Sequence, residues 1–384
     1  MNIGLFLGHP AHFHMLKNVA LQLQQDGHHV YFVIKKKDIL EQLLQDAGYG
    51  YTLIREDRKD GFRGLARSVL SMEWNMCNFL RRNHIDILIG STLSFASRVL
   101  MHVPTIVMGE DDADVVPKYA STVYPFASAI LTPVVCDNGK WNSKSIKYPS
   151  YHELAYLHPN HFAARREVVE QYGIDTTKPY FVLRFASLKA HHDKGIHGID
   201  TAIAQHLIDL LLPHGQVYIT SERPLEPQFE AYRIHINPLD MHHVMAFASL
   251  YLGDSQTMAA EAGVLGTPFV RFNDFVGRIG YLRELEDVYH LGYGIHATPL
   301  TADSAIRRTD GSVQPSGTEA LYEAVEQLVA LTAEERQTLY GQRRKQMLQE
   351  KIDYAKYLTW FVEHYPESVA QSKQADNGFW KRFQ

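Results

Sequence analysis

Short apolar runs alternate with longer amphipathic stretches from the first residues of this chain onward. Apolar runs occupy residues 3–7, 30–34, 51–54, 85–89 and 105–108, and stretches with helical periodicity separate them. Parallel strands that are covered by helices on both faces have continuous apolar sequences of this kind. The first half of the chain is therefore predicted to be a doubly wound α/β domain.

The same alternation begins again after a break around residues 137–178, where turn-forming residues accumulate. Apolar runs then recur at residues 180–185, 217–220, 250–253 and 269–272. The chain also exceeds the roughly 250 to 300 residues at which a single hydrophobic core stops growing. We predict an α/β protein with two Rossmann-like domains, residues 1–165 and 166–345, whose mostly parallel sheets face each other across a cleft. Residues 346–384 are expected to form a helix and tail that pack back on the first domain.

Charge and cysteine content exclude several classes of protein. The formal net charge of -5 argues against a nucleic-acid partner, because binding to phosphates requires a basic surface. Cys77 and Cys136 form no Cys-x-x-Cys pair, so neither a disulfide framework nor a thiolate metal site is indicated. The N-terminus lacks the pattern of a signal peptide, and no apolar stretch reaches the roughly 18 residues of a membrane span. A cytoplasmic protein is expected.

The segment GDSQTMAAEAGVLGTP, residues 253–268, has the pattern of a strand end, a turn and a helix start. In an open α/β sheet, a helix that begins at the carboxyl end of a strand presents unpaired N–H groups to an anion. Ser255, Gln256 and Thr257 would offer amides and hydroxyls to a diphosphate. Glu261 follows Thr257 by one helical turn, and its carboxylate would accept hydrogen bonds from a ribose. The pattern indicates a nucleotide site; the alternative is a simple serine N-cap with Glu261 facing solvent.

Two loops that follow strands of the second domain carry further candidates. The loop RFASLKAHHDKG would surround a pyrophosphate, and its candidate ligands are Arg184, Ser187, Lys189 and His192. A charged loop exposed to solvent is the alternative. Two adjacent histidines point in different directions, so this loop is not expected to bind a metal ion. The segment TSERP would place Ser221 and Glu222 next to a base or a sugar, unless it is a plain N-cap.

The first domain offers candidates for acid–base catalysis at the ends of two strands. The first strand leads into GHPAHFHMLKN, which places His12 and His14 at the start of a helix. Histidine suits the role of general base, because it titrates near neutral pH. After the strand at residues 105–108, Glu110 and Asp111 form an acidic cluster that would act as general base or acid. Helix caps, core hydrogen bonds and an acidic helix start are the alternatives.

Four motifs spread over nearly the whole chain carry a family resemblance: GHPAHFHMLKN, YPSYHELAYLHP, LRFASLKAHHD and GDSQTMAAEAGVLGTP. In this combination the sequence resembles a prokaryotic family of unknown function that is considered GT-B-like. Residues 253–268 also resemble the aspartate-serine-glycine-glycine and glutamate motif of UDP-N-acetylglucosamine 2-epimerases, with Gln256 and Thr257 in place of the two glycines. Asp274 and Arg278 keep the spacing of an aspartate and an arginine that follow this motif. The resemblance implies that Arg278 steadies a phosphate or a sugar.

The resemblance implies a GT-B architecture and an enzyme that acts on a nucleotide-sugar. The leading hypothesis is a glycosyltransferase that moves a sugar from a nucleoside-diphosphate donor, in the first instance UDP, to a saccharide or lipid-linked acceptor in surface polysaccharide synthesis. The alternatives are a non-hydrolysing UDP-sugar 2-epimerase and a nucleotide-sugar-binding protein without catalysis. No cofactor is expected, and helix-terminus amides and cationic side chains would stabilise the diphosphate without a metal. The basic and apolar stretch GFRGLARSVLSMEWNMCNFLRR is interpreted as a core-facing helix or as a peripheral contact with the inner membrane face.

Overall fold

The computed structural model describes residues 1–35, 39–54, 62–90, 92–186 and 197–384. The chain divides into two compact units. Unit 1 consists of Met1–His161 together with Lys351–Gln384, and unit 2 consists of Phe162–Glu350. The boundaries expected from the sequence were residues 165 and 345.

Unit 1 contains a seven-stranded parallel sheet in the order β3-β2-β1-β4-β5-β6-β7. Its strands are β1 (Asn2–Leu7), β2 (His29–Lys35), β3 (Tyr51–Ile54), β4 (Ile87–Ile89), β5 (Thr105–Met108), β6 (Ala129–Pro133) and β7 (Ser145–Tyr148). The α-helices among these strands are α1 (Pro10–Gln25), α2 (Leu40–Asp46), α3 (Phe62–Arg82) and α4 (Pro117–Val123). The strand order runs outward from β1 in one direction and from β4 in the other, so the connections reverse direction between these two strands. The predicted doubly wound architecture is confirmed in this unit.

The core of unit 1 explains why these apolar runs form strands. One face of the sheet contributes Phe6, Val33 and Leu88 to a buried cluster, and α3 covers that face with Met76 and Phe79. All five side chains are at most 4% exposed. Because helices shield the sheet from water, the strands have continuous apolar sequences. The core-facing role expected for α3 is therefore confirmed.

Unit 2 contains a five-stranded parallel sheet in the order β12-β11-β10-β8-β9. Its strands are β8 (Tyr180–Phe185), β9 (Gln216–Ser221), β10 (Leu250–Gly253), β11 (Phe269–Phe272) and β12 (Gly292–Ile295). Its α-helices are α5 (Arg166–Glu170), α6 (Thr201–Leu211), α7 (Met241–Phe247), α8 (Gln256–Leu265), α9 (Gly280–Arg283), α10 (Gly317–Val329) and α11 (Ala333–Glu350). Here the connections reverse direction between β8 and β10. In doubly wound sheets, ligands bind outside the carboxyl ends of the strands at such a point.

The last residues of the chain return to unit 1 as α12 (Tyr354–Glu363), α13 (Glu367–Lys373) and α14 (Asn377–Lys381). Asp353 caps α12 by accepting a hydrogen bond from the amide of Lys356 at 3.1 Å. Its carboxylate also accepts hydrogen bonds from Nε2 of His161 at 2.8 Å and from Nδ2 of Asn160 at 3.0 Å. Burial acts to raise the pKa of Asp353, but the bonds from His161 and Asn160 outweigh it and hold the pKa below its usual value.

Over the described ranges, no helix is both long and apolar enough to cross a membrane.

Candidate functional site

The start of α8 lies at the carboxyl end of β10, beside the reversal point of the second sheet. Gly253 ends β10 in close contact with β8, because a Cβ at this position would lie 2.7 Å from the carbonyl oxygen of Arg184. Ser255 then caps α8, with its hydroxyl accepting from the amide of Met258 at 3.5 Å. Since the first amides of a helix have no partner within the helix, α8 presents donors and a partial positive charge at this edge. Thr257 is partly exposed in this first turn.

The side chain of Gln256 is directed into the protein. Its carbonyl oxygen accepts a hydrogen bond from Nη1 of Arg271 at 2.5 Å, and its amide nitrogen lies 3.4 Å from Oδ1 of Asn273. Arg271 is completely buried and also pairs with Glu286, at 2.9 Å from Nε to Oε1. The side chain of Gln256 thus binds a buried arginine, and the part of this residue that can face an anion is its backbone. Its backbone amide remains at the helix start.

Asp254 is a buried carboxyl group at the reversal point between β8 and β10. Its side chain is 2% exposed, and Oδ1 accepts a hydrogen bond from the amide of Ala186 at 2.6 Å. Asn273 donates to its carbonyl oxygen at 3.0 Å, which fixes the turn from the β11 side. Within the described residues, Oδ2 is buried and has no hydrogen-bond partner. Burial raises the pKa of Asp254 to about 6, so this carboxyl group titrates close to neutral pH.

Glu261 lies further along α8 and pairs with a histidine of α7. Its Oε1 is 2.9 Å from Nε2 of His242, and the two residues are 5% and 4% exposed. This arrangement differs from the solvent-facing alternative, because the carboxylate is buried. The neighbouring His243 accepts a hydrogen bond from the amide of Arg165 at 3.1 Å, which positions α7.

Two of the predicted ligand-binding residues, Arg184 near the end of β8 and Glu222 just after β9, pair with each other. Nη2 of Arg184 lies 2.5 Å from Oε1 of Glu222. The hydroxyl of Ser221 donates to the carbonyl of Arg223 at 2.7 Å and accepts from the amide of the same residue at 3.1 Å. Ser221 therefore serves a local turn. The candidates Ser187, Lys189 and His192 lie outside the described residues.

A cavity of about 520 Å³ opens within unit 2. It is bordered by the end of β11, the segment after β12 and the starts of α6 and α10, and its polar lining includes His197, Asp200, Arg223, Thr298 and Thr318. Asp274 fixes two sides of this cavity by accepting from the amides of His197 and Thr298, both at 2.8 Å. Burial acts to raise the pKa of Asp274, but hydrogen bonds from His197 and Thr298 outweigh it and lower the pKa. Arg278, four residues later, is exposed.

In unit 1, the predicted histidines lie at the start of α1, next to the reversal point between β1 and β4. Nδ1 of His12 accepts a hydrogen bond from the amide of Gly8 at 3.2 Å, so a neutral His12 ring carries its proton on Nε2. In this geometry Nε2 is a donor. His14 lies on the inner face of α1 and is 7% exposed, with its ring 5.6 Å from that of Tyr156 and 5.7 Å from that of Phe13.

The predicted carboxylates after β5 have different surroundings. Glu110 binds His152 at two points: Oε1 accepts from the backbone amide at 2.7 Å, and Oε2 lies 3.2 Å from Nδ1 of the ring. A carboxylate in this position orients an imidazole, as in catalytic triads. Asp111 is partly exposed, and its charge adds to burial in raising the pKa of Tyr124. Asp112 is buried and accepts from the amide of Asp137 at 2.7 Å, which makes it part of the loop structure.

Among the described residues, the predicted candidates form two groups, one at the carboxyl edge of each sheet. The sequence does not predict three of their partners: His152 for Glu110, His242 for Glu261, and Arg271 for Gln256. Only Arg271 has a local signal, since a charged residue inside the apolar strand FVRF requires a buried partner. Over the described ranges, no group of three or more His, Cys, Asp and Glu residues is placed to hold a metal ion.

Comparisons with solved structures identify similar folds. S. aureus MnaA in complex with UDP matches with a TM-score of 0.61 and 13% identity, over 96% of this chain and 98% of that one. The UDP-GlcNAc 2-epimerase of Neisseria meningitidis bound to UDP-GlcNAc matches with a TM-score of 0.60 and 13% identity, over 97% of this chain and 100% of that one. The spinosyn rhamnosyltransferase SpnG, complexed with spinosyn aglycone, matches with a TM-score of 0.56 and 14% identity, over 94% and 99% of the two chains.

No family model and no curated protein sequence matches the chain. The structural similarity extends over both units and establishes the fold. The chain has the GT-B fold, which glycosyltransferases and UDP-GlcNAc 2-epimerases share. The fold expected from the sequence is confirmed.

Proposed function

We propose that this chain is a glycosyltransferase that transfers a sugar from a nucleoside-diphosphate sugar to a saccharide or lipid-linked acceptor. A UDP-sugar is the first candidate for the donor. The observation that carries the proposal is the start of α8 at the reversal point of the second sheet. There, a helix terminus with free amide donors lies beside the buried Asp254 and the turn that Asn273 fixes. Such a site favours a diphosphate, because several N–H groups and the helix dipole act together on one anion. Similar folds bind UDP and UDP-GlcNAc.

In the proposed reaction, an acceptor hydroxyl oxygen forms a bond to the anomeric carbon of the donor sugar. The bond between that carbon and the diphosphate oxygen breaks, and the nucleoside diphosphate leaves with the electron pair. The α8 amides, together with Lys189 and Arg278, stabilise the departing charge. The hydroxyl proton passes to a base of unit 1, for which Glu110 with its partner His152 is the leading candidate.

His12 has a different proposed part. Since its Nδ1 accepts from Gly8, its Nε2 donates a hydrogen bond in the neutral state. We assign to His12 the role of orienting the reacting hydroxyl oxygen of the acceptor substrate. The base role expected from the sequence would require the bond to Gly8 to break.

A 2-epimerase is the second candidate. Asp254, Ser255 and Glu261 keep the positions of the epimerase motif, and solved epimerases match over nearly their whole length. Against it, Gln256 and Thr257 replace two glycines that permit close approach of the backbone. The transferase is therefore preferred, and a binding protein without catalysis is the remaining alternative.

The first test is thermal unfolding against uridine, thymidine, guanosine, cytidine and adenosine diphosphate sugars. A ligand that binds only the folded state raises the unfolding temperature, so a selective rise identifies the nucleotide. Ser255→Ala should abolish the rise. Thr332→Ala, which removes a similar capping hydroxyl at the start of α11, should retain it. No rise with any nucleotide would refute the nucleotide-sugar site.

A product assay then separates the candidate reactions. A transferase releases nucleoside diphosphate only when an acceptor is present. An epimerase converts the nucleotide-sugar to its 2-epimer without an acceptor. Binding without either product would support the non-catalytic alternative.

A further inference from the structure

Unit 1 carries a concentrated group of exposed apolar side chains. Six of the thirteen large hydrophobic side chains that are exposed in the described residues lie between positions 69 and 100. They are Val69, Leu70 and Trp74 of α3, and Phe95, Val99 and Leu100 around the π-helical turn Ala96–Leu100. Leu70 is 69% exposed and Trp74 is 63% exposed. Exposed apolar groups of this extent mark an interaction site.

These side chains belong to two elements that lie side by side. The amide of Ala96 donates to Oε2 of Glu73 in α3 at 2.8 Å, and Nη2 of Arg81 lies 3.9 Å from Sδ of Met101. Within α3, Leu70 and Trp74 are one helical turn apart and share a face. We call the exposed side chains of residues 67–82 and 95–102 the α3 surface.

The charged residues of the α3 surface have one sign. Its exposed ionisable side chains are Arg67, Arg81, Arg82, Arg98 and His102. Neither segment contains an exposed Asp or Glu. The carboxylate of Glu73 accepts a hydrogen bond from the amide of Ala96 at 2.8 Å, so it is engaged within the protein.

We infer that the α3 surface docks on an anionic phospholipid membrane. The arginines match lipid phosphates and anionic headgroups, and the exposed Trp and Leu side chains fit the interface between headgroups and acyl chains. The opposite side of α3 is held in the core by Met76 and Phe79, so the helix lies along the membrane and only its outer side chains enter it. This inference concerns a surface, and it stands apart from the proposed sugar transfer.

A second copy of this chain fits the surface less well. In a two-fold symmetric dimer, the same patch contacts itself. That contact would bring arginine onto arginine without an exposed carboxylate in the patch to pair with them. The observed charge pattern therefore favours an anionic partner over a second copy.

The α3 surface begins near the edge of the sheet that carries the candidate catalytic residues. Helix α3 connects β3 to β4, so its first turns lie toward the carboxyl edge of the sheet, the edge that carries His12 and Glu110. Arg67 and Leu70 are in this first part of α3. If the proposed function holds, docking would bring a lipid-linked acceptor to the same edge; the docking itself does not depend on it.

Sedimentation of this chain with phospholipid vesicles tests the inference in the absence of any sugar nucleotide. We expect binding to vesicles that contain phosphatidylglycerol, weaker binding to pure phosphatidylcholine, and loss of binding at high salt. The double variant Leu70→Ser, Trp74→Ser and the double variant Arg67→Glu, Arg81→Glu should each weaken binding by roughly tenfold or more. Leu212→Ser, which changes an exposed leucine of unit 2, should bind like the wild type.

Unfolding temperatures close to that of the wild type will show that the variants fold. Equal binding to neutral and anionic vesicles, or full binding by both double variants, would overturn the inference. If light scattering shows a wild-type dimer and the same variants are monomeric, the surface is a contact between copies and the inference is overturned. Because no nucleotide is present, these outcomes are independent of the test of the donor site.

Discussion

Glu110 holds His152 at two points, with one carboxylate oxygen 2.7 Å from the backbone amide and the other 3.2 Å from Nδ1 of the ring. In Glu110→Gln, the amide oxygen can still accept from the backbone amide of His152, but the negative charge beside the ring is lost. We expect turnover in the proposed transfer to fall by about 10² or more while donor affinity changes little.

Steady-state rates together with donor titrations check this prediction. Asp114→Asn removes an exposed carboxylate from the same loop and should leave turnover unchanged. Wild-type turnover in Glu110→Gln would exclude the Glu110–His152 pair as the proton acceptor.

The pair of Glu261 and His242 gives a prediction for donor binding. Glu261→Gln keeps the size of the side chain and removes its charge, so we expect nucleotide affinity to fall by about 1 to 3 kcal/mol, the range for a lost charged hydrogen-bond partner. Calorimetric titration with the nucleotide identified by thermal unfolding measures it.

Because His242 is buried, the same variant should also lower the unfolding temperature. His242→Gln separates the two effects, since it breaks the pair and leaves the carboxylate in place. If both variants lose stability equally and neither loses affinity, Glu261 has a structural role only.

Asp254 predicts how stability changes with pH. Burial raises its pKa in the folded protein to about 6, above the value near 3.9 of an aspartate in an unfolded chain. Between these values the folded state holds more protons than the unfolded state, so the free energy of unfolding contributed by this group falls as pH rises through the window. Asp254→Asn does not titrate and keeps an acceptor for Ala186.

We therefore expect Asp254→Asn to gain stability relative to the wild type from about pH 4 to pH 7. Unfolding temperatures measured at closely spaced pH values test this. Asp303→Asn, at an exposed site, should show a nearly constant difference. A constant or shrinking difference for Asp254→Asn would mean that its carboxyl group is ionised throughout.

For Asp353, the stability is expected to depend on pH in the opposite direction from that for Asp254. Hydrogen bonds from His161 and Asn160 outweigh burial and hold its pKa below that of an unfolded aspartate. Its stabilising contribution is present above the unfolded value and is lost as pH falls through the lower, folded value. Asp353→Asn should therefore cost about 2 to 3 kcal/mol near neutral pH, and the difference from the wild type should shrink in acid. Urea unfolding at several pH values measures both; a difference that grows toward low pH would contradict the assignment.

The sheets of both units were predictable because strands that are buried on both faces have continuous apolar sequences. The runs at residues 3–7 and 250–253 appear as β1 and β10 at nearly the same bounds. Ser255 as the cap of α8 was predictable for a local reason, since a serine hydroxyl before an apolar helix satisfies a free amide three residues later. These features depend on neighbours along the chain.

The partners within the candidate site depend on residues far along the chain. Glu110 and His152 are 42 residues apart, and His242 and Glu261 are 19 residues apart on different helices. The orientation of Gln256 is set by Arg271 and Asn273 from another strand. No periodicity connects such residues, so the sequence supplied the candidate types but not their pairing.

The closing contacts of unit 1 have a consequence for how the chain is made. His161 and its partner Asp353 are separated by 192 residues, and the ring of Tyr354 stacks on that of Tyr148 at 4.5 Å. A ribosome therefore synthesises all of unit 2 before the segment that completes unit 1 exists. Unit 1 begins to be synthesised first, but it is the last unit that can complete its folding. Until its C-terminal helices are made, the surface that they cover remains exposed.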